Sequence, residues 1–93
     1  MARATARHIL VDTEAACKKL QAEIEAGADF AAMAAKYSNC PSGKQGGDLG
    51  EFGPGQMVPE FDRVVFSGEV GKVHGPVKTQ FGYHLLEITS RKD

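Results

Sequence analysis

Residues 76–89 read Pro76-Val77-Lys78-Thr79-Gln80-Phe81-Gly82-Tyr83-His84-Leu85-Leu86-Glu87-Ile88-Thr89, two extended runs hinged at Gln80-Phe81-Gly82. That pattern predicts a closing hairpin. In its second run His84, Leu86 and Ile88 alternate with Tyr83, Leu85 and Glu87, so a histidine shares one face with two aliphatic side chains. Residues 6–11 repeat the arrangement at the other end of the chain. There His8 and Leu10 share a face, and Arg7, Ile9 and Val11 take the other. The two terminal runs are expected to lie side by side and bring the imidazoles together. A core-facing imidazole needs a hydrogen-bond partner, and each ring can serve the other through one N–H···N bond. The residues alone leave two readings of the pair open: a chemical site, or two core histidines that hold strands together. His74, in a glycine-rich connection, reads as a surface residue.

Between the terminal runs the periodicity becomes helical. Ala16, Leu20 and Ile24 recur every four residues after a start at Asp12 or Thr13, Glu14 suits the positive end of the helix dipole, and Gly27 can stop the helix. Asp29 can cap a second helix whose Phe30, Met33, Ala34 and Tyr37 form one apolar stripe. Residues 41–59 hold six glycines and three prolines and read mostly as loop, with one helical turn at 42–45 and a very short strand at 49–52. Pro59 suits the first turn of a third helix carrying Phe61, Val64 and Val65, which Gly68 ends. Strand, helices, loop, helix and hairpin in 93 residues predict an α+β domain, an antiparallel sheet covered by helices.

Length and charge narrow the function. A chain of 9.9 kDa is expected to expose roughly 5,200 Å² when folded, against roughly 14,400 Å² unfolded, so residues 1–93 are read as one domain with one modest core. Eleven basic against twelve acidic side chains, scattered along the chain, form no electrostatic footprint for nucleic acid or an anionic bilayer. No long apolar run and no cationic leader are visible, so Met1 is expected to be the true start and the compartment cytoplasmic. Cys17 and Cys40 match neither a redox pair nor a zinc knuckle and are expected to be free thiols, with Cys17 a buried filler.

Cys40 stands in Ser38-Asn39-Cys40-Pro41, where the proline pushes it toward extended, accessible geometry. A thiolate nucleophile beside a histidine is a conceivable enzyme, although so short a chain leaves little room for an oxyanion hole and a cleft. A metal site from Cys40, His8 and His84 lacks the close ligand spacing of zinc sites, and none is expected. Leu49, Met57 and Phe61, around the glycine-rich loop and the third helix, fit core filling and fit an apolar pocket equally well.

Five segments in order strongly resemble the parvulin family of peptidyl-prolyl cis/trans isomerases, most closely its small single-domain bacterial type. They are H-I-L-V (8–11), A-D-F-A-A-M-A-A-K-Y-S (28–38), G-G-D-L-G-E-F (46–52), G-Q-M-V-P-E-F-D-R-V-V-F (55–66) and G-P-V-K-T-Q-F-G-Y-H-L-L (75–86). The resemblance implies a parvulin (FKBP-like) fold, a four-stranded antiparallel sheet wrapped by about four helices in the order β-α-α-α-β-α-β-β. It implies catalytic roles for His8, His84 and Cys40, with Thr79 hydrogen-bonded to the histidine pair. Leu49, Met57 and Phe61 would hold the substrate proline, and Phe81 would stand at the rim. The implied activity is non-covalent rotation about Xaa-Pro bonds in peptides and unfolded chains, without cofactor or metal, by a monomer. Parvulins that require phosphate carry a basic cluster after the first strand. Asp12-Thr13-Glu14 stands there instead, so phosphate dependence is not expected. The alternative from another class is a non-catalytic proline-peptide-binding or chaperone module.

Overall fold

Alternation at the two chain ends builds the centre of the sheet. A computed structural model describes residues 2–92; Met1, expected to be the true start, lies outside the described residues. Strands β1 (Arg3–Val11) and β4 (Gly82–Lys92) pair antiparallel, with His8 opposite Leu86 and Leu10 opposite His84. Strand β2 (Asp48–Phe52) flanks β1 and strand β3 (Val73–Thr79) flanks β4, giving the antiparallel order β2-β1-β4-β3. Helices α1 (Glu14–Glu25) and α2 (Phe30–Tyr37), a 3₁₀ turn at Pro41–Gln45 and helix α3 (Pro59–Val65) complete the expected order, the 3₁₀ turn taking the third helical place.

Both sheet faces are covered. Ile9, Val11 and Leu85 pack against Cys17 and Leu20 of α1 and against Phe30 and Ala34 of α2. On the opposite face Ala4, Ala6 and Leu86 pack against Phe52 and against Phe61 and Val65 of α3. That division explains why consecutive Leu85 and Leu86 are both fully buried, each contributing on the order of 2 kcal/mol. The accessible surface of 5280 Å² lies close to the expected value.

Several expectations need correction. The strands run further than predicted, through residues 3–5, 73–75 and 90–92, where small, hydroxyl and charged side chains hide the alternation. Thr5 Oγ1 there lies 2.6 Å from both Thr89 Oγ1 and Ser90 Oγ at a register shift. The buried residues of α1 are Cys17 and Leu20, with Ile24 partly buried beside them; Ala16, about 40° beyond Leu20 at the edge of that stripe, is exposed. Tyr37 is 42% exposed, so the stripe of α2 ends at Ala34. His74 belongs to β3, half-buried, with Nε2 2.9 Å from the Glu69 carbonyl oxygen. Of the two expected starts of α1, Thr13 is the cap, accepting from the Ala16 N–H at 3.2 Å, and Asp29 caps α2 as expected, accepting from the Ala32 N–H at 2.9 Å. Arg91 donates to the Val65 and Gly68 carbonyls at 2.9 and 2.6 Å and closes the C-terminal end of α3. Among the described residues no helix is long and apolar enough to cross a membrane.

Candidate active site

The register of β1 on β4 sets His8 and His84 diagonally on one face, with Nδ1 3.1 Å from Nδ1 and the rings stacked at 17°. Both are buried, and every ring nitrogen has a partner. His84 Nε2 lies 2.7 Å from Thr79 Oγ1, which also accepts from the Phe81 N–H at 3.1 Å. His8 Nε2 lies 3.0 Å from Ser42 Oγ, and the Ser42 hydroxyl donates to Cys40 Sγ at 3.3 Å. One assignment of protons satisfies this chain throughout. With Ser42 donating to sulfur, its oxygen accepts from His8 Nε2–H. His8 Nδ1 then accepts from His84 Nδ1–H, and His84 Nε2 accepts from the Thr79 hydroxyl. Five side chains thus form one directional relay from Thr79 to Cys40.

The relay requires neutral imidazoles, and the site supplies them. Burial, reinforced by neighbouring His8 and opposed by the Glu60 carboxylate, pushes His84 down to about 4, and burial lowers His8 as well. The other thiol, Cys17, is buried and pushed up to about 11, chiefly by desolvation and further by Glu14, which makes it an inert filler.

A cavity of about 360 Å³ opens above the pair. His8 and His84 form its floor, Leu10, Leu49, Met57 and Val58 its apolar wall, and Asn39, Cys40 and Pro41 one side. Phe61 stands edge-on to both rings, 4.6 Å from His84 and 5.5 Å from His8 between centroids. The core and pocket readings of Phe61 are therefore not alternatives: it is 4% exposed, belongs to the α3 core and lines the cavity. Phe81, at the rim, is 60% exposed. Thr79 lies beneath the floor and touches the cavity only through His84. Cys40 is half-buried rather than freely accessible, because the 3₁₀ turn folds Ser42 back over its sulfur. Among the described residues no group of three or more His, Cys, Asp or Glu side chains is placed to hold a metal.

Local hydrogen bonds hold these walls. Ser38 Oγ accepts from the Leu10 and Cys40 N–H groups, and the Asn39 N–H donates to the Leu10 carbonyl at 2.8 Å, which fastens the Cys40 segment along β1. Gly47 accepts from the His8 N–H at 2.9 Å with φ +84°, and a Cβ there would overlap the His8 carbonyl. On the Met57 side, the Gly55 N–H donates to Asp62 Oδ2 at 2.6 Å and the Gly53 N–H to Gln56 Oε1 at 2.7 Å. Ser42, Leu10, Val58, Asn39 and Pro41 were not among the predicted site residues. Ser42 carried no signal beyond its place in a one-turn helix two residues after Cys40.

Residues 5–90 match the family model described as rotamase, PPIC-type PPIase domain. The chain belongs to the parvulin family of peptidyl-prolyl cis/trans isomerases. The foldase protein PrsA 4 of Bacillus cereus is 46% identical over 87 residues, 92% of this chain and 31% of that protein. The parvulin chain thus spans about a third of the length of the curated relatives it matches. A crystal structure of the peptidylprolyl isomerase PrsA from Bacillus anthracis superposes with a TM-score of 0.95 at 35% identity, over 99% of this chain and 43% of that one. The solution structure of NmPin, the parvulin of Nitrosopumilus maritimus, gives 0.85 at 31% identity over 97% and 98%. The parvulin fold expected from the five segments is the fold observed.

Proposed function

We propose that this domain accelerates rotation about Xaa-Pro bonds in peptides and unfolded chains, without covalent chemistry. The observation that carries the reading is an apolar cavity of about 360 Å³ floored by two neutral, mutually bonded imidazoles. Amide resonance sets a rotation barrier of about 18–20 kcal/mol, although the trans preference at proline is small. Leu49, Met57 and Phe61 hold the pyrrolidine ring while the acyl half turns. The twisted amide carries less carbonyl charge than the planar one, so an apolar wall disfavours the planar state and favours the transition state. Cys40, fixed by Ser42, sets the polarity beside the turning carbonyl, and the histidine relay holds Ser42. Lowering the barrier by about 5.4 kcal/mol gives roughly 10⁴-fold acceleration. Rotation makes and breaks no covalent bond, so the mechanism calls on no cofactor or metal.

Substrates follow from the surface. Phe81 and Leu10 offer apolar contact at the rim, and the segment after β1 is acidic, so the partners are unphosphorylated proline peptides and unfolded chains rather than nucleic acid or membrane. Relatives named foldases accord with that choice. We place the domain in the cytoplasm on its two unpaired thiols; cell fractionation tests that placement. Exchange NMR on a Leu-Pro peptide tests the activity. Faster cis/trans exchange is expected, and chemical-shift changes without faster exchange would instead establish a binding module.

A further inference from the structure

Across Val58 from the cavity lies a second concavity of about 280 Å³, lined by Val58, Pro59, Glu60, Thr79 and Gln80. Val58 is common to both, so a peptide whose proline lies in the first has a neighbouring residue over the second. Glu60 is the only charged side chain in that annex. Among the described residues its carboxylate joins none of the ion pairs, which link Arg3 to Glu51, Arg7 to Glu87 and Lys72 to Glu69. The nearest cation along β3, Lys78, alternates onto the opposite sheet face from Val77 and Thr79. The Glu60 field reaches the pocket floor, where it opposes the effect of burial on His84. On the other side, a third concavity of about 310 Å³ shares Asn39, Cys40 and Pro41 with the proline cavity and carries Lys44. The two flanks of the proline cavity therefore carry opposite charges.

We propose that Glu60 is a specificity residue: the annex takes the side chain of a residue flanking the substrate proline and selects lysine or arginine there over glutamate. The assignment rests on the isomerase reading and adds to it a substrate class, cationic proline peptides. An unpaired carboxylate in a half-open cleft attracts a cation and repels an anion, each by the modest amount typical of solvent-exposed pairs. Together these give a preference on the order of fivefold that salt weakens. Because Lys44 stands on the opposite flank, the preference belongs to one side of the proline only.

The test uses two peptide sets, one varying the residue before proline and one the residue after, each with Lys, Gln or Glu. For every peptide, kcat/KM comes from exchange NMR and Kd from chemical-shift titration, at low and high salt. In the wild-type chain Lys is expected to exceed Glu by about fivefold on one flank at low salt, with the ratio falling toward one at high salt. Glu60→Gln should abolish the ratio, and Glu60→Lys should invert it. A ratio that survives in both variants, or is absent from both flanks of the wild type, overturns the proposal. A charge ratio in Kd without accelerated exchange would uphold the annex and overturn the isomerase reading; accelerated exchange without any ratio would do the reverse.

Discussion

Ser42 shows how much of a site can hang on one short side chain. Its hydroxyl joins Cys40 to His8, and its removal leaves the His8 Nε2–H without an acceptor. Ser42→Ala is expected to keep the fold and to cost about 1 kcal/mol of organisation, a roughly fivefold to tenfold loss in kcat/KM. Imidazole ¹⁵N shifts supply the readout that a merely structural role would not move, because the preferred tautomers of both histidines should mix. Cys40 itself is expected to act through its field. Cys40→Asp should retain most activity and Cys40→Ala should lose on the order of tenfold, measured by the same exchange assay. A dead Asp variant together with a trapped thioester would restore the covalent reading. The residues that carry the family resemblance all come to one place, seven lining the cavity and Thr79 beneath it. His8, His84 and Cys40 stood out as candidates because histidine in an apolar alternation, and cysteine before proline, are unusual, while the roles of all eight came from the resemblance. Ser42 did not stand out, because serine in a glycine-rich loop is ordinary, and only the 3₁₀ turn brings it back to sulfur.

The same contrast runs through the elements. Periodicity made β1, α1, α2, α3 and β4 readable, with side-chain caps at α1 and α2 and Pro59 opening α3, whereas β2 was legible as a short strand at 49–52 but its pairing with β1 was not. Gly47 shows why: it sits against the His8 backbone, and the strand beginning at Asp48 follows from that close approach. Gly47→Ala combines a positive φ with steric overlap, so it is expected to destabilise the domain by about 2 kcal/mol or more, seen as a lower urea midpoint. Phe61 belongs to this scale too, since one side chain of α3 serves core and pocket. Phe61→Ala should cost about 3–5 kcal/mol and confuse lost folding with lost turnover. Phe61→Leu, which keeps most of the volume, should stay folded and still show reduced kcat/KM through its loosened grip on the proline ring. Turnover unchanged in Phe61→Leu would assign the ring to the core alone.

For the whole molecule, the decisive feature is that the first and last strands form the centre of the sheet and bury an imidazole from each end of the chain. That pairing was readable from two matching histidine-bearing runs; the covering of both faces was not, because Leu85 and Leu86 blur the alternation. The arrangement makes global stability sensitive to mild acid. An unfolded histidine titrates near 6.5, whereas His84 in the folded domain is held down to about 4 and His8 is lowered as well. Between those limits the unfolded chain binds protons that the folded one refuses, so stability rises with pH there. The histidine contribution is fully present above about pH 6.5, declines as pH falls toward 4, and levels off below. Urea unfolding at intervals from pH 8 to 3.5 should trace that decline. The carboxylates of this chain also begin to titrate at the lower end, so the comparison is with a His8→Asn/His84→Asn double variant, which keeps the carboxylates and loses the imidazoles. Its free energy of unfolding should be lower at neutral pH and nearly flat between pH 6.5 and 5, where the wild-type value slopes. Identical slopes in the two proteins over that interval would mean that the rings take up protons in place, and neither the buried pair nor its neutral relay would stand.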